Sequence, residues 1–215
     1  MVQKGPSPQS EPKRRGRPRA YDPDAALSRA LGSFWTAGYS GTSLDDLSAA
    51  TGMNRPSLYG AFGDKRDLYL KALAYYWDAS RVAVDQALAR DVPLRQALQR
   101  LYDKALSIYF SGKEGARGCF AIGTATTEAV RDAKIRTALA DGFRMIDEAF
   151  EARIRFAQEQ GELPRKADPA ALAMLASATL HTLAIRSRAG TPRRLLQGIV
   201  EATLDTICGP SSRAG

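Results

Sequence analysis

Cysteine and histidine are scarce in this chain, with two cysteines and one histidine among its 215 residues. Cys119 and Cys208 are too few for a disulfide scaffold, and a reducing cytoplasm is the simplest location for such a chain. His181 is the single histidine, which excludes a metal site built from several histidines of one chain. We therefore predict neither a metal nor another cofactor.

Long hydrophobic runs are also missing. No apolar stretch approaches the ~20 residues that a membrane-spanning helix needs, and no apolar segment follows the first basic residues, as it would in a secretory signal. The sequence contains no phosphate loop, dinucleotide glycine pattern, zinc-protease helix or nucleophile elbow. We expect a cytoplasmic protein that has no membrane partner and is not an enzyme.

Acidic residues are fewer than basic ones, 23 against 31, which gives a net charge of +8 and a pI near 9.7. A basic balance favours polyanionic partners. Residues 1–20 hold six of the basic residues and one acidic residue, and they are rich in Pro, Gly and Ser. We predict that residues 1–20 form a disordered basic arm.

The remaining sequence has helical periodicity and little strand signal, which predicts an all-α fold. The helices are expected from Pro23 to Gly38, between the caps Ser43 and Gly52, from Asn54 to about Phe62, from Asp64 to about Ala89, from Pro93 to about Phe110, from about Phe120 to Arg131, from about Ala133 to Gln160, from Asp168 to about Arg188, and from about Arg193 to Ile207.

The second and third helices, joined by a tight turn at Gly52, have the plan of a helix-turn-helix, which places its second helix in the DNA major groove. If Leu58 and Phe62 point inward, the outer face carries the candidate DNA-binding residues Arg55, Pro56, Ser57 and Tyr59. Arg55 can donate two hydrogen bonds to guanine O6 and N7. An ordinary surface helix is the alternative interpretation.

Phosphate contacts are predicted beside this face. Thr42 and Ser43 lie at the amino end of the second helix, where free backbone N–H groups favour phosphate, and Lys65 lies at the start of the fourth. The segment Arg15-Gly16-Arg17-Pro18-Arg19 resembles the core of AT-hook segments, in which arginines enter the narrow minor groove. We expect Arg15, Arg17 and Arg19 to bind DNA there, although basic tails are common.

The block from Ala30 to Tyr69, within a match over roughly 22–75, resembles the DNA-binding domain of the TetR family of transcriptional regulators. The matching positions are Gly38-Tyr39, Thr42-Ser43-Leu44, Leu47, Ala50, Gly52, Ser57-Leu58-Tyr59, Phe62, Lys65, Leu68 and Leu70. The resemblance implies a helix-turn-helix DNA-binding domain over residues 21–65 and a C-terminal helical effector-binding and dimerisation domain over residues 66–215. Residues 117–120 resemble a feature of one subgroup.

The resemblance also implies a homodimer that forms through the last two helices and binds double-stranded operator DNA. Burial of these helices in the protomer's own core is the alternative. A small-molecule effector pocket is implied in the middle helices, with the candidates Trp77, Tyr102, Tyr109, Cys119, Ile122, Thr126, Phe143 and His181. Aromatic residues at helical spacing are also typical of an ordinary core.

The sequence thus favours a repressor that a small-molecule effector releases from its operator. Two alternatives stay open. In the first, modification of Cys119 is the trigger, because Arg117 and a nearby helix start favour a thiolate, although a lone cysteine is often a buried apolar residue. In the second, the same fold is an effector-independent DNA organiser.

Overall fold

The structure, a computed structural model, describes residues 22–112 and 115–210. The predicted arm with Arg15, Arg17 and Arg19 lies outside these residues. Every regular element within them is helical, which confirms the all-α prediction. The helices are α1 Pro23–Gly41, α2 Leu44–Thr51, α3 Arg55–Phe62, α4 Lys65–Ala87, α5 Leu94–Tyr109, α6 Thr126–Ala129, α7 Ala133–Glu159, α8 Pro169–Arg188 and α9 Arg193–Cys208, with a π-helical segment, Ala121–Ala125, directly before α6.

The predicted N-caps set the starts of five helices. The side chains of Asp22, Ser43, Asn54, Asp64 and Asp168 each accept hydrogen bonds from backbone N–H groups of the following turn. These N–H groups have no partner inside the helix, so each cap satisfies donors that would otherwise need water. The local sequence therefore fixes where α1 to α4 and α8 begin.

Two helices differ from their predicted form. Gly38 interrupts α1 with φ 77°, as expected of a helix end, but a further turn continues to Gly41. The helix expected from Phe120 to Arg131 is instead the π segment followed by α6, which ends at Ala129. The wider π turn buries Thr124, whose hydroxyl lies 2.7 Å from that of Tyr69. This tertiary contact is invisible to periodicity.

The first three helices enclose a small core. Leu31, Phe34, Leu47, Leu58 and Phe62 are all buried in it, as the sequence predicted. Leu27 of α1 is only partly buried beside this core. The burial of Leu58 and Phe62 fixes the rotation of α3 about its axis. Helix α3 has only eight residues, too few to form a stable helix alone, so it depends on this packing.

An aromatic junction, formed by Phe34, Trp35, Tyr69, Tyr76 and Phe120, joins these helices to the rest of the chain. The Phe34 ring meets Tyr69 edge-on at 5.1 Å, and the Trp35 ring lies 5.6 Å from Phe120 and 5.4 Å from Tyr76. Such pairs add about 0.5–1.5 kcal/mol each beyond their burial. The junction therefore couples α1 to α4 and to the chain around the π segment.

Polar contacts run beside the junction. Trp35 Nε1 donates to the carbonyls of Arg117 and Gly118 at 3.3 and 3.2 Å. Arg66, in the first turn of α4, pairs through two nitrogens with the carboxylate of Asp132, the N-cap of α7, and its Nη2–Oδ1 distance is 2.8 Å. These bonds attach both ends of the helix-turn-helix unit to the larger helical part.

The larger part is built around α7 and α8, with α4 and α5 packed against them. Trp77 of α4 lies directly on Gly142 of α7, where an added Cβ would come within 2.0 Å of the indole ring. By length and composition α8 is apolar enough to cross a membrane, but 44% of that window is buried inside the protein. The core helices of soluble proteins pass the same test.

Gly142→Ala is expected to lower the free energy of unfolding by about 1–3 kcal/mol, because the new methyl group would overlap the Trp77 ring. Gly32→Ala is the control. This helical glycine has open space around its Cβ position, and alanine there should add roughly 0.5–1 kcal/mol. Urea unfolding followed by circular dichroism measures both changes. Equal effects of the two substitutions would contradict the proposed contact.

Candidate nucleic-acid interface and effector site

Helix α3 presents a polar face to solvent. Arg55, Pro56, Ser57 and Tyr59 are exposed, and Tyr59 keeps 47% of its surface accessible. The structure thus brings together the four residues of α3 that the sequence predicted on the outer face. The Ser57 N–H is held by the side chain of Asn54 at 2.9 Å, so the serine hydroxyl is left to project outward.

Arg55 is already paired in the free protein. Its Nε and Nη2 donate to the two carboxylate oxygens of Asp45 on α2, at 3.0 and 2.7 Å. Both side chains are more than half exposed, so the pair is weak and can exchange for another ligand. A guanine offers the same two-acceptor pattern as the carboxylate. Asp45 therefore occupies the two nitrogens through which Arg55 could contact a guanine.

The amino end of α2 differs from the sequence-based picture. Thr42 is buried, and its hydroxyl donates to the carbonyl of Gly38 at 2.7 Å, so this side chain secures the end of α1 and does not face outward. Ser43 forms a capping box with Asp46, and these hydrogen bonds lower the pKa of Asp46. The carboxylate of Asp46 occupies the position where a phosphate was expected.

Lys65 lies at the start of α4, beside the end of α3. Its Nζ is 4.5 Å from the ring centroid of Tyr39, a cation–π contact that orients the side chain. The ammonium group remains partly accessible. Lys65 is therefore held where α1 and α4 meet, next to the exposed face of α3.

Three of the eight predicted pocket residues lie together between α4, α7 and α8. The Phe143 ring is 6.1 Å from Trp77 and 4.7 Å from His181. Burial lowers the pKa of His181, and the nearby carboxylate of Asp147 partly opposes this effect. The imidazole is therefore neutral at physiological pH.

The other predicted pocket residues are dispersed. Tyr102 is fully buried, and its hydroxyl donates to the carbonyl of Ala176 at 3.1 Å, which ties α5 to α8. Tyr109 is buried, and burial raises its pKa well above the ordinary value. Thr126 is exposed and donates to its own helix at Ile122. The side chain of Thr126 therefore points away from the aromatic group, and Tyr102 and Tyr109 pack as core residues.

Cys119 and Ile122 line a separate surface cleft of about 370 Å³ between the π segment and the end of α8. The Cys119 thiol lies 3.0 Å from the hydroxyl of Tyr76, and burial raises its pKa. Arg117, which was expected to favour the thiolate, instead stacks on Trp35 at 3.8 Å. The thiol is therefore held in its protonated, less reactive form.

Helices α8 and α9 divide their residues between two faces. Ala173, Ala176, Leu180 and Leu183 are buried in the protomer. The large apolar side chains of Met174, Leu175, Ile185 and Leu195 are instead exposed, by 60%, 38%, 57% and 52%. On α8, Met174 and Ile185 lie on the same face and define an apolar stripe, with Leu175 at its edge. One face of these helices therefore packs in the protomer's own core, and the other face is exposed.

Sequence reasoning missed three residues of these sites. Asp45 pairs with Arg55, while Asp147 and Ser177 each place a buried polar atom without a partner among the described residues. Asp147 follows Phe143 by one turn and Ser177 precedes His181 by one turn, and this spacing was a usable signal. Across residues 22–112 and 115–210 no group of three or more His, Cys, Asp or Glu side chains could hold a metal ion.

Comparison with known proteins matches both parts of the chain. Residues 26–72 match the model of bacterial regulatory proteins of the tetR family, and residues 93–202 match a tetracyclin repressor-like C-terminal domain. The HTH-type transcriptional repressor ComR of Escherichia coli (strain K12) is 31% identical over 198 residues, which cover 92% of this chain and 94% of ComR. A second relative, the uncharacterised regulator YezE of Bacillus subtilis (strain 168), is 28% identical over 193 residues, 89% of this chain and 99% of YezE.

Solved structures give the same picture. A cysteine mutant of the TetR family regulator CifR, complexed with 26-bp double-strand operator DNA, is 34% identical with a TM-score of 0.74, and the match covers 87% of this chain and 98% of that one. The reduced form of NemR from E. coli has a TM-score of 0.76 at 16% identity, covers 90% of this chain and 98% of NemR, and shares the fold.

Asp45→Asn is expected to tighten binding to duplex DNA several-fold at low salt, because it removes a negative charge and frees Arg55. Asp78→Asn is the matched control, since Asp78 also pairs with an exposed arginine, Arg81, but lies far along α4. Fluorescence anisotropy with a labelled duplex measures both variants. An unchanged affinity of Asp45→Asn would show that Asp45 does not restrain Arg55.

Proposed function

This chain belongs to the tetR family of bacterial regulatory proteins, and from this premise we propose that it is a cytoplasmic, homodimeric transcriptional repressor that a small-molecule effector releases from operator DNA. As a member of that family it is a helix-turn-helix DNA-binding transcriptional regulator. The relatives named as repressors support repression rather than activation. The domains proposed are residues 21–65 for DNA binding and 66–215 for effector binding and dimerisation.

The exposed face of α3 is the observation that carries this proposal. Arg55, Ser57 and Tyr59 project from a short helix whose opposite face is locked into a hydrophobic core. An arginine, a hydroxyl and a phenol can respectively read a guanine, contact a base edge or phosphate, and contact a phosphate or a thymine methyl group. We propose these residues, with Pro56, as the major-groove contacts, Lys65 as a phosphate contact, and Arg15, Arg17 and Arg19 as a minor-groove arm.

Dimerisation is supported by the apolar stripe on α8. A monomer would expose Met174, Leu175 and Ile185 of α8 and Leu195 of α9 to water, and several large apolar side chains exposed on adjacent helices are typical of an interaction site. A two-fold axis through α8 and α9 would make the same stripe meet itself. The two copies of α3 would then read a roughly palindromic operator with half-sites about one helical turn apart.

Release follows from a difference in affinity between two conformations. An effector that binds better to a state whose two α3 helices are wrongly spaced for DNA must weaken operator binding by the same factor. The proposed lever is α4, which is separated from α3 by two residues and carries Trp77 into the aromatic group near α7 and α8. A Cys119 trigger is less favoured, because burial raises the pKa of that thiol.

Titration of the upstream DNA against random duplex of equal length, at matched salt, tests the proposal. A repressor should prefer its own upstream sequence by at least ~10³-fold. Equal affinities would sink specific repression and favour the DNA organiser instead.

Arg55→Ala should weaken binding to the operator by about 1–3 kcal/mol and relax selectivity at one position of each half-site. Arg81→Ala, which removes another exposed and ion-paired arginine, should leave binding nearly unchanged. Competition with operators substituted at each position measures the selectivity. If Arg55→Ala weakens binding to all sequences equally, Arg55 contacts a phosphate and not a base.

The double variant Met174→Glu, Ile185→Glu should sediment as a monomer and lose most of its operator affinity, because charges on the stripe would oppose an apolar interface. Val130→Glu is the matched control, since Val130 is 79% exposed but lies outside α8 and α9. Sedimentation velocity gives the oligomeric state. A dimer that survives in the double variant would place the interface elsewhere.

A further inference from the structure

A polar cluster lies between α4, α7 and α8. Its members are Trp77, Asp147, Ser177 and His181, and each has one buried polar atom that lacks a hydrogen-bond partner within the described chain: Nε1, Oδ1, Oγ and Nε2. Ser177 is only 1% exposed and Trp77 9%. Buried polar groups are normally hydrogen-bonded, so a concentration of exceptions needs a physical reason.

The four residues lie on neighbouring turns of packed helices. Helices α7 and α8 are consecutive, and the rings of Phe143 and His181 meet at 4.7 Å. Asp147 lies one turn after Phe143, and Ser177 lies one turn before His181, so antiparallel packing places Asp147 level with Ser177. Trp77 of α4 contacts Phe143 and closes the third side.

The charge in this space is negative. Asp147 forms no ion pair with the lysines and arginines that the structure describes. Its neighbour His181 is neutral, because burial lowers the pKa of the imidazole. Arg144, which precedes Asp147 by three residues, pairs instead with the exposed side chain of Asp141. A carboxylate that lies close to His181 and has no ion-pair partner within the described chain is a suitable counter-ion for a ligand cation.

We infer that the polar cluster binds an organic ammonium ion, with Asp147 as its counter-ion and the faces of Trp77 and Phe143 against its apolar part. The neutral members, Ser177 and His181, accept its remaining N–H bonds. This inference rests on the proposed function, because it names the chemical class of the effector.

The cluster continues into an accessible region. Ser177, His181, Ala184 and Arg188 lie at helical spacing on one side of α8, and the last two line the surface cleft of about 370 Å³. This volume is at the lower end of small-molecule pockets. A small ligand in this cleft would contact Ala184, which lies one turn along α8 from His181.

Benzylamine, benzyl alcohol and benzoate form a probe set of similar size with positive, zero and negative charge. Isothermal titration calorimetry at pH 7.5 should detect binding of benzylamine and at least tenfold weaker binding of the other two. Asp147→Asn should weaken benzylamine at least tenfold, whereas Asp141→Asn, which removes an exposed carboxylate from the same helix, should not. Ser177→Ala should weaken benzylamine binding about threefold, and this variant tests the inference if Asp147→Asn does not fold.

Three results would overturn the inference: absence of benzylamine binding at millimolar concentration, equal binding of the three probes, or unchanged benzylamine binding in both Asp147→Asn and Ser177→Ala. Stability gives a separate readout. Asp147→Asn should raise the Tm of the ligand-free protein by roughly 2–4 °C, because a half-buried carboxylate with one unpartnered oxygen is replaced by a neutral amide, and a fall would mean that Asp147 already has a partner. If benzylamine binds through Asp147 but does not release operator DNA, the site stands and the proposed coupling fails.

Discussion

The burial of two neighbouring aromatic residues of α1, Phe34 and Trp35, is the constraint on which the rest of the structure depends. Phe34 closes the core of the first three helices and meets Tyr69 of α4, while Trp35 packs on Phe120 and donates its N–H to the chain before the π segment. The helix-turn-helix unit is therefore packed directly against the rest of the protein. Any change in the position of α4 or of the π segment is transmitted to α1, and through it to α3.

The same geometry explains how a short helix can present a reading surface. An eight-residue helix has too few hydrogen bonds to hold its own shape. Leu58 and Phe62 fix its rotation from below, Asn54 fixes its start, and Asp45 orients Arg55 from the neighbouring helix. Such orientation costs little to exchange, since both members of the pair are exposed. A base edge can therefore replace the carboxylate without rearrangement of the backbone.

What the sequence predicted well is what neighbouring residues decide among themselves. Caps and turns depend on spacings of two to four residues, and the outward face of α3 follows from two buried positions, so these features could be derived directly. The Arg55–Asp45 pair spans two helices, and the role of Thr42 depends on how α1 ends, so both required the folded chain. Periodicity cannot separate a core tyrosine such as Tyr102 from a pocket residue, and it contains no information about which turn of α7 faces which turn of α8.

The pairing of turns between α7 and α8 is the basis for the proposed ligand chemistry. A chain selected for stability alone has no reason to keep a carboxylate oxygen, a serine hydroxyl, an imidazole nitrogen and an indole N–H buried without partners. The cost of leaving Asp147, Ser177 and His181 unpaired is explained if an ammonium ion donates hydrogen bonds to all three, and Trp77 contributes its ring face from α4. A ligand that contacts Trp77 acts on α4, the helix whose first turn carries Lys65. Helix α4 is also bonded through Arg66 to the start of α7. Trp77, one of the groups that would recognise the ligand, is then part of the helix that would move the reading surface, so the ligand would act on that helix directly.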